Sequence, residues 1–441
     1  MTGVHVNRTH YPLDVTGEVD IPGLAYEQLW STSVCTLTNC MHDCYEICPF
    51  YEQLQYAMDV RSLCLFTYYV SRDDRIARQA ILQLHSSYRA HLGLLASRSP
   101  ASQLQIIPHF SLFWILTLVD HFEYFRDISF TRKLIPVCDG ILEYFAGRVD
   151  PELSLVSSET LFWDFTFTSS LYAHTMQRLL PVVKAIGRQG LAGEFEVRAD
   201  TIARAVKQHC RLGEVFTDGL ASSADVTRDF SQHNQIWAVL CGAATGDYSR
   251  KLPRQYLPMA QSKPSVKEDL QGPVPATEFT KPSQAISFYL LRALSAARST
   301  LYDDVFHDMW QPWLDQLSLN LTTWCENEVT LRSDCHAWSC VPLYELMAEV
   351  AGIRLAEPGW SSVSFRPRTG LFPLFKAVVP LSSKLAPGTA HVVWRLSEGW
   401  DKASVSLRLE TGAAVDGVPI YVTYPDERQE TKFGLQLGFT L

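Results

Sequence analysis

The stretch "FSLFWILTLV", Phe110 to Val119, is the longest apolar run in the chain, and its reading decides the fold. A helix needs about 20 apolar residues to span a bilayer, so this run is too short to cross one. It reads instead as a helix buried in a globular protein. Outward from it, from about Tyr26 to Ala351, apolar residues recur at helical spacing and strand alternation is scarce. The spacing predicts helices over Tyr26–Met41, Phe50–Val70, Asp74–Tyr88, Phe110–Arg126, Lys133–Val149, Ser170–Ile186, Ala192–His209 and Gln232–Gly242. Further helices are expected at Gln284–Ala297, Leu301–Leu317 and Trp338–Ala351, with one more near Arg250–Ala260. Such a succession suggests antiparallel hairpins, and six of them would close a mainly α (α/α)6 toroid.

After "EPGW" (Glu357 to Trp360) the pattern changes to short alternating runs such as "AHVVWRL" and "VPIYVTY", parted by Gly, Pro and Asp. A small C-terminal antiparallel β-sandwich is expected there. The organisation that follows is a short N-terminal segment at 1–22, a helical ring at 23–355 and the sandwich at 356–441. Within the first, "YPLDVTGEVDIP" (Tyr11 to Pro22) reads as a strand left from another β layer. The Pro-rich connection from Ser262 to Gln284 is long for a loop and reads as a lid or a disordered excursion.

Of the 441 residues, 47% are hydrophobic and 19% charged, the balance of a chain able to bury a large core. The formal charge of −9, without a Lys/Arg cluster, argues against nucleic acid or an anionic membrane as partner. The start lacks the basic flank and apolar run of a signal peptide, and 11 cysteines, an odd number, fit a reducing compartment, so the cytoplasm is the default expectation. Cys40, Cys44 and Cys48 recur every fourth residue near His42, but no second ligand pair answers them, so no metal or other cofactor is expected. No GxSxG, P-loop or GxGxxG motif is present.

Chemistry concentrates in two stretches. In "ICPFYEQLQYAMD" (Ile47 to Asp59) carboxylates stand among apolar and aromatic neighbours. With Pro49 at a helix start, Glu52, Tyr56 and Asp59 would share one helix face at i, i+4 and i+7. The plain structural reading makes Glu52 a first-turn carboxylate favoured by the helix dipole, and Asp59 a partner of a nearby arginine. An acid role for Glu52 would require burial or neighbouring negative charge. In "LTTWCENEVTLRSDCHAWSCVPLYEL" (Leu321 to Leu346), Trp324, Glu326, Glu328, Arg332, His336 and Trp338 gather where a loop should meet the last helix. Aromatic faces with charged groups around them suit a sugar.

These residues carry a resemblance. The stretches from Cys40 to Ile81, "QIIPHFSLFWILTLVDHFEYFRD", "SQHNQIWAVL" and "LTTWCENE…RSDCHAWSCVPLYELMAEVAGI" are similar to the α-L-rhamnosidase family of inverting glycoside hydrolases. The resemblance implies a six-hairpin toroid followed by a β-sandwich, with a rhamnosylated glycoside bound at the mouth of the ring. It also implies Glu52 as general acid, Glu326 as general base and Asp59 as a supporting carboxylate. Tyr56, Trp163, Trp324, Arg332, His336 and Trp338 would line the sugar pocket. Where relatives commonly carry a sugar-binding aspartate this chain has Ile47, and Phe167 and Thr168 replace an Asp-Trp pair. Two readings stay open: a hydrolase releasing terminal α-L-rhamnose, or a non-catalytic relative that binds a glycan or a protein.

Overall fold

The computed structural model describes residues 5, 7–157, 165–222, 230–246, 284–297, 300–327, 333–381, 388–399, 402–411, 418–434 and 436–440. Helices α1 (Leu24–Asn39), α2 (Ala57–Val70), α3 (Arg75–Ser86), α4 (Pro108–Phe125), α5 (Ile128–Ala146), α6 (Phe165–Ala185), α7 (Gln189–His209) and α8 (Gln232–Leu240) come first. They are followed by α9 (Gln284–Ala296), α10 (Leu301–Met309), α11 (Gln311–Ser318) and α12 (Val341–Tyr344), which runs into a π-helical turn at Glu345–Val350.

Two kinds of helix alternate. The run that opened the reading lies in α4, which is buried on every side from Pro108 to Phe122, and α2 is buried almost as completely. By contrast α3 hides a single stripe, Ile76, Ala77, Ala80, Ile81 and Leu84, as a helix with one face to water does. The more deeply buried set packs in succession: α2 on α4, α4 on α6, α6 on α8, α8 on α9. The set then returns, because α9 packs on the 3-10 turn Ala337–Ser339 and α12 packs on α2. The helix expected near 250–260 and the Pro-rich connection up to residue 283 lie outside the described residues.

Three expected helices differ. The segment Phe50–Val70 becomes helical only at Ala57, and 49–52 is a turn. Tertiary bonds win over local propensity there. Gln53 takes a left-handed φ of 51°, Gln55 donates through Nε2 to the Ser99 carbonyl (2.7 Å) and to Gln83 Oε1 (2.8 Å), and Tyr56 pairs with Arg98 in extended form. Leu301–Leu317 divides into α10 and α11 around Trp310, with Pro312 in the first turn of the second. Trp338–Ala351 is assembled from a 3-10 turn, α12 and the π turn.

The C-terminal region forms two sheets. Strands β4 (Ile353–Glu357), β5 (Ser362–Phe365), β9 (Ile420–Thr423) and β10 (Gln429–Lys432) make one, in the order β10-β9-β5-β4. The other has the order β1-β6-β7-β8-β11, from β1 (Glu18–Asp20), β6 (Leu374–Leu381), β7 (Gly388–Leu396), β8 (Ala403–Thr411) and β11 (Gln436–Thr440). The pairing is antiparallel except between β5 and β9, which run parallel. The N-terminal strand thus joins the C-terminal sheet, with Val19 opposite Ala377. A hairpin of β2 (Arg211–Leu212) and β3 (Val215–Phe216) closes the helical account between α7 and α8.

The sheets are anchored to the helices. Tyr69 Oη donates to the Ile353 carbonyl at 3.0 Å. Gly352 turns the chain out of the π segment at φ +71°, where an added Cβ would lie 2.2 Å from the Arg366 carbonyl carbon, so only glycine fits. A buried ionic network spans the joint. Glu349 receives Arg354 (2.8 Å), Arg368 (2.9 Å) and Arg292, and Arg292 also holds Glu345. All 11 cysteines are free thiols. Among the described residues no helix is long and apolar enough to cross a membrane.

Candidate active site

The two chemical stretches meet through their backbones. In the loop before α2, Ile47 N–H donates to the Leu54 carbonyl (3.1 Å) and Gln53 N–H to that of Cys48 (3.0 Å), which curls 47–54 into a compact turn. The Ile47 carbonyl accepts from Ala337 N–H at 2.9 Å, which fastens this loop to the residues before α12. Ile47 itself is buried, 5% exposed, so its side chain helps to seat the loop. Cys48 embraces Glu52: its sulfur accepts from Glu52 N–H (3.2 Å), and its thiol donates to Glu52 Oε2 (3.6 Å). Phe50 and Tyr51 stand out to solvent beside it, edge to face at 5.0 Å.

The second stretch is clasped by two backbone bonds, Glu326 N–H to the Ser333 carbonyl (2.7 Å) and His336 N–H to the Trp324 carbonyl (2.8 Å). Trp338 donates through Nε1 to the Glu326 carbonyl (2.9 Å) and lies against the His336 ring, centroids 4.0 Å apart. These contacts orient Glu326 and His336 as one unit.

Asp59, in the first turn of α2, is buried, and its carboxyl is pushed up from 3.8 to about 7. Burial is the main cause, opposed by a backbone hydrogen bond, and the charges of Glu52 and Glu326 raise it further. Asp59 is therefore partly protonated at neutral pH and feels carboxylates from both stretches.

The expected pocket residues fare differently. Tyr56 is half-buried at the start of α2, its hydroxyl accepting from Arg98 Nη1 (2.9 Å). Glu52, Tyr56 and Asp59 do not share a helix face, because the helix begins after Tyr56. Trp324 corrects the expectation of a sugar platform: it is fully buried, and its indole donates to Ser33 Oγ of α1 (2.8 Å), which makes it a packing residue. Trp163, Glu328 and Arg332 lie outside the described residues. At the start of α6, Thr168 Oγ1 meets His109 Nε2 of α4 at 2.7 Å, and Phe167 packs on His109 and Trp237. Burial depresses the His109 imidazole to about 3, so it is neutral.

Asp59, His109, Phe167 and Thr168 all stand in the N-terminal turns of the buried helices, with the two loops before α2 and α12. Further along these helices lies a different space, a polar cavity of about 310 Å³ with Arg61, Asp120, Arg178 and Tyr289 in its wall. Arg61 and Arg178 both hold Asp120 there, at 2.8 and 3.1 Å. Sequence reading passed over Phe50, Tyr51 and Arg98, and weighed Cys48 only as a metal ligand beside Cys40 and Cys44. A helix assigned over Phe50–Val70 hides the fact that Phe50 and Tyr51 belong to a turn.

No family model matches the chain, and no curated protein matches it. Among solved structures, a glycoside hydrolase family 78 rhamnosidase from a Bacillus species superposes with a TM-score of 0.79 at 24% identity, over 95% of this chain and 44% of that one. The α-L-rhamnosidase of Aspergillus terreus gives 0.78 at 13% identity, over 98% of this chain and 51% of that one. That of Streptomyces avermitilis, complexed with L-rhamnose, gives 0.72 at 14%, over 98% and 43%. The chain spans about half the length of these proteins or less. A mannosylglycerate hydrolase of Thermus thermophilus is more distant, at 0.51 and 10% identity. The resemblance read from the motifs thus extends to the architecture: nearly the whole chain has the α-L-rhamnosidase-like fold.

Proposed function

We propose that this protein is a glycoside hydrolase of the α-L-rhamnosidase kind, built on a six-hairpin toroid whose alternating buried helices close on α2 through α12. The substrate is a terminal α-L-rhamnoside held at the N-terminal ends of the buried helices. Glu52 donates the proton to the leaving oxygen, and Glu326 takes the proton of the attacking water on the opposite face, with inversion at the anomeric carbon. Asp59 supports the pair, and Trp338 lines the sugar with the buried His336 ring packed against it. One observation carries this reading: Asp59, raised to about 7 mainly by burial, senses both Glu52 and Glu326, although those residues come from opposite ends of the helical region.

The chemistry follows from the arrangement. An inverting site requires one carboxyl that delivers a proton, a second that accepts one, and room for water between them. Glu52 sits on a tight loop, its orientation held by Cys48, and Glu326 sits on a clasped loop. The Ile47–Ala337 backbone bond sets the spacing between the two loops. The protonated form of Asp59, a large share of the molecules at neutral pH, can donate a hydrogen bond to a sugar hydroxyl.

The test is release of p-nitrophenol from its α-L-rhamnoside by the purified full chain, with proton NMR of the first sugar anomer formed. First appearance of β-L-rhamnose supports inversion. Absence of turnover together with calorimetric binding of rhamnose would favour the second reading, a glycan-binding relative, for which the buried Ile47 in place of the aspartate is the motivating observation.

A further inference from the structure

We propose that Cys48, Glu52 and His336 form a binding site for a soft divalent cation, Zn2+ by its chemistry, at the mouth of the candidate active site. Among the described residues, one ligand atom from each of these three lies within 4.8 Å of the other two. A tetrahedral zinc with its sulfur at ~2.3 Å and its carboxylate oxygen at ~2.0–2.2 Å sets those two atoms ~3.6 Å apart. Cys48 Sγ and Glu52 Oε2 already stand at 3.6 Å.

The donor set is the mixed thiolate, imidazole and carboxylate that zinc prefers, and three protein ligands leave a fourth position for water. Cys48 and His336 are fully buried and fixed by their backbones, so little order need be gained on binding. Glu52 is half-buried at the solvent side, which gives the ion a way in. Glu326, on the loop that also carries His336, adds negative potential, which favours a cation and disfavours an anion. On binding, the Cys48 thiol loses its proton to solvent as the Zn–S bond forms, and no electrons are exchanged, so affinity rises with pH.

A consequence rests on the role given to Glu52. A zinc-bound carboxylate cannot carry the proton that the leaving oxygen needs, and the ion would occupy the place of the glycosidic oxygen. Bound zinc would therefore act as a reversible inhibitor of the hydrolase.

The experiment uses chelator-treated full-length protein titrated with Co2+ and then with Zn2+ against a chromophoric chelator. The expected result is one tight equivalent and a thiolate-to-cobalt charge-transfer band. Cys48→Ser should abolish the band, and both it and His336→Gln should weaken Zn2+ binding by about a hundredfold or more, while Cys335→Ser retains both. The Cys335 variant matters because Cys40 and Cys335 place their sulfurs 3.8 Å apart and offer a rival thiol pair. No thiolate band, or loss of binding in Cys335→Ser instead of Cys48→Ser, overturns the site. Turnover is read on each protein against its own zinc-free rate. Rhamnoside hydrolysis that persists at saturating zinc would remove Glu52 from the ligand set and overturn the three-ligand site while leaving the hydrolase reading intact. Metal binding at the expected residues in a protein with no zinc-free turnover would support the site and count against that reading.

Discussion

Glu52 and Glu326 carry the proposed proton transfers, so replacing either with glutamine keeps its size and removes its titration. Each of Glu52→Gln and Glu326→Gln should lower rhamnoside turnover by about 100-fold or more, because one acid–base group contributes roughly 10²–10⁴-fold. Steady-state kinetics with circular dichroism checks this, and a variant near the wild-type rate would strip that residue of its role. Asp59 yields a stability prediction. Its folded carboxyl, at about 7, lies above the ordinary 3.8, so the folded state keeps a proton that the unfolded chain has lost. Its contribution is therefore fully present below about pH 4 and is lost as pH rises to about 7, with a ceiling of roughly 4 kcal/mol. Asp59→Asn should stabilise the fold at pH 8 by on the order of 2 kcal/mol and flatten the pH dependence between 4 and 7. Urea unfolding at both pH values measures it, and an Asp59→Asn variant less stable at pH 8 would contradict the burial argument. Motif and residue type singled out Glu52, Asp59 and Glu326, whereas the way their two stretches are fastened together was not legible. That fastening includes a backbone bond between Ile47 and Ala337, which no side-chain pattern encodes.

At the scale of elements, helical periodicity located most of the helices, because a buried helix and a one-faced helix both repeat near 3.6 residues. It failed where side chains override the local pattern. Gln55 spends its carboxamide on Ser99 and Gln83, and the helix starts two residues later than Gln55, at Ala57. The π turn at Glu345–Val350 was equally illegible, and both its carboxylates, Glu345 and Glu349, enter the buried ionic network. Burial alone would raise the Glu349 carboxyl, but Arg354, Arg292 and Arg368 hold it well below the usual carboxylate range. Its stabilising contribution is present above the ordinary carboxylate pKa and is lost only on strong acidification. Glu349→Ala leaves three guanidinium groups without their shared partner, and breaking a buried pair costs about 3–5 kcal/mol. Guanidinium chloride unfolding should show a loss of that size. A change under 1 kcal/mol would mean that Glu345 and Asp303 suffice to compensate the three arginines.

Over the whole molecule, the helical body and the sheets are joined from both ends of the described chain. Thr16 and Gly17 both donate their N–H groups to the Val70 carbonyl at 2.9 Å, laying the N-terminal segment across the end of α2 before it enters the sheet as β1. Gly17 is needed there, since an added Cβ would lie 2.8 Å from the Tyr69 carbonyl oxygen. Gly17→Val should lower stability by on the order of 1–3 kcal/mol without touching the carboxylates, so the melting temperature falls while the rate per folded molecule stays the same. An unchanged melting temperature would show that the strap is dispensable. The strand also sets a clock. Lys376, opposite Asp20 in the ladder, lies 356 residues further along the chain. At roughly 5–20 residues per second, a ribosome would hold β1 without its partner for about 20 to 70 s. For that interval an unpaired edge is open to any neighbouring nascent chain, so crowded polysomes are where this protein would be most prone to mispair.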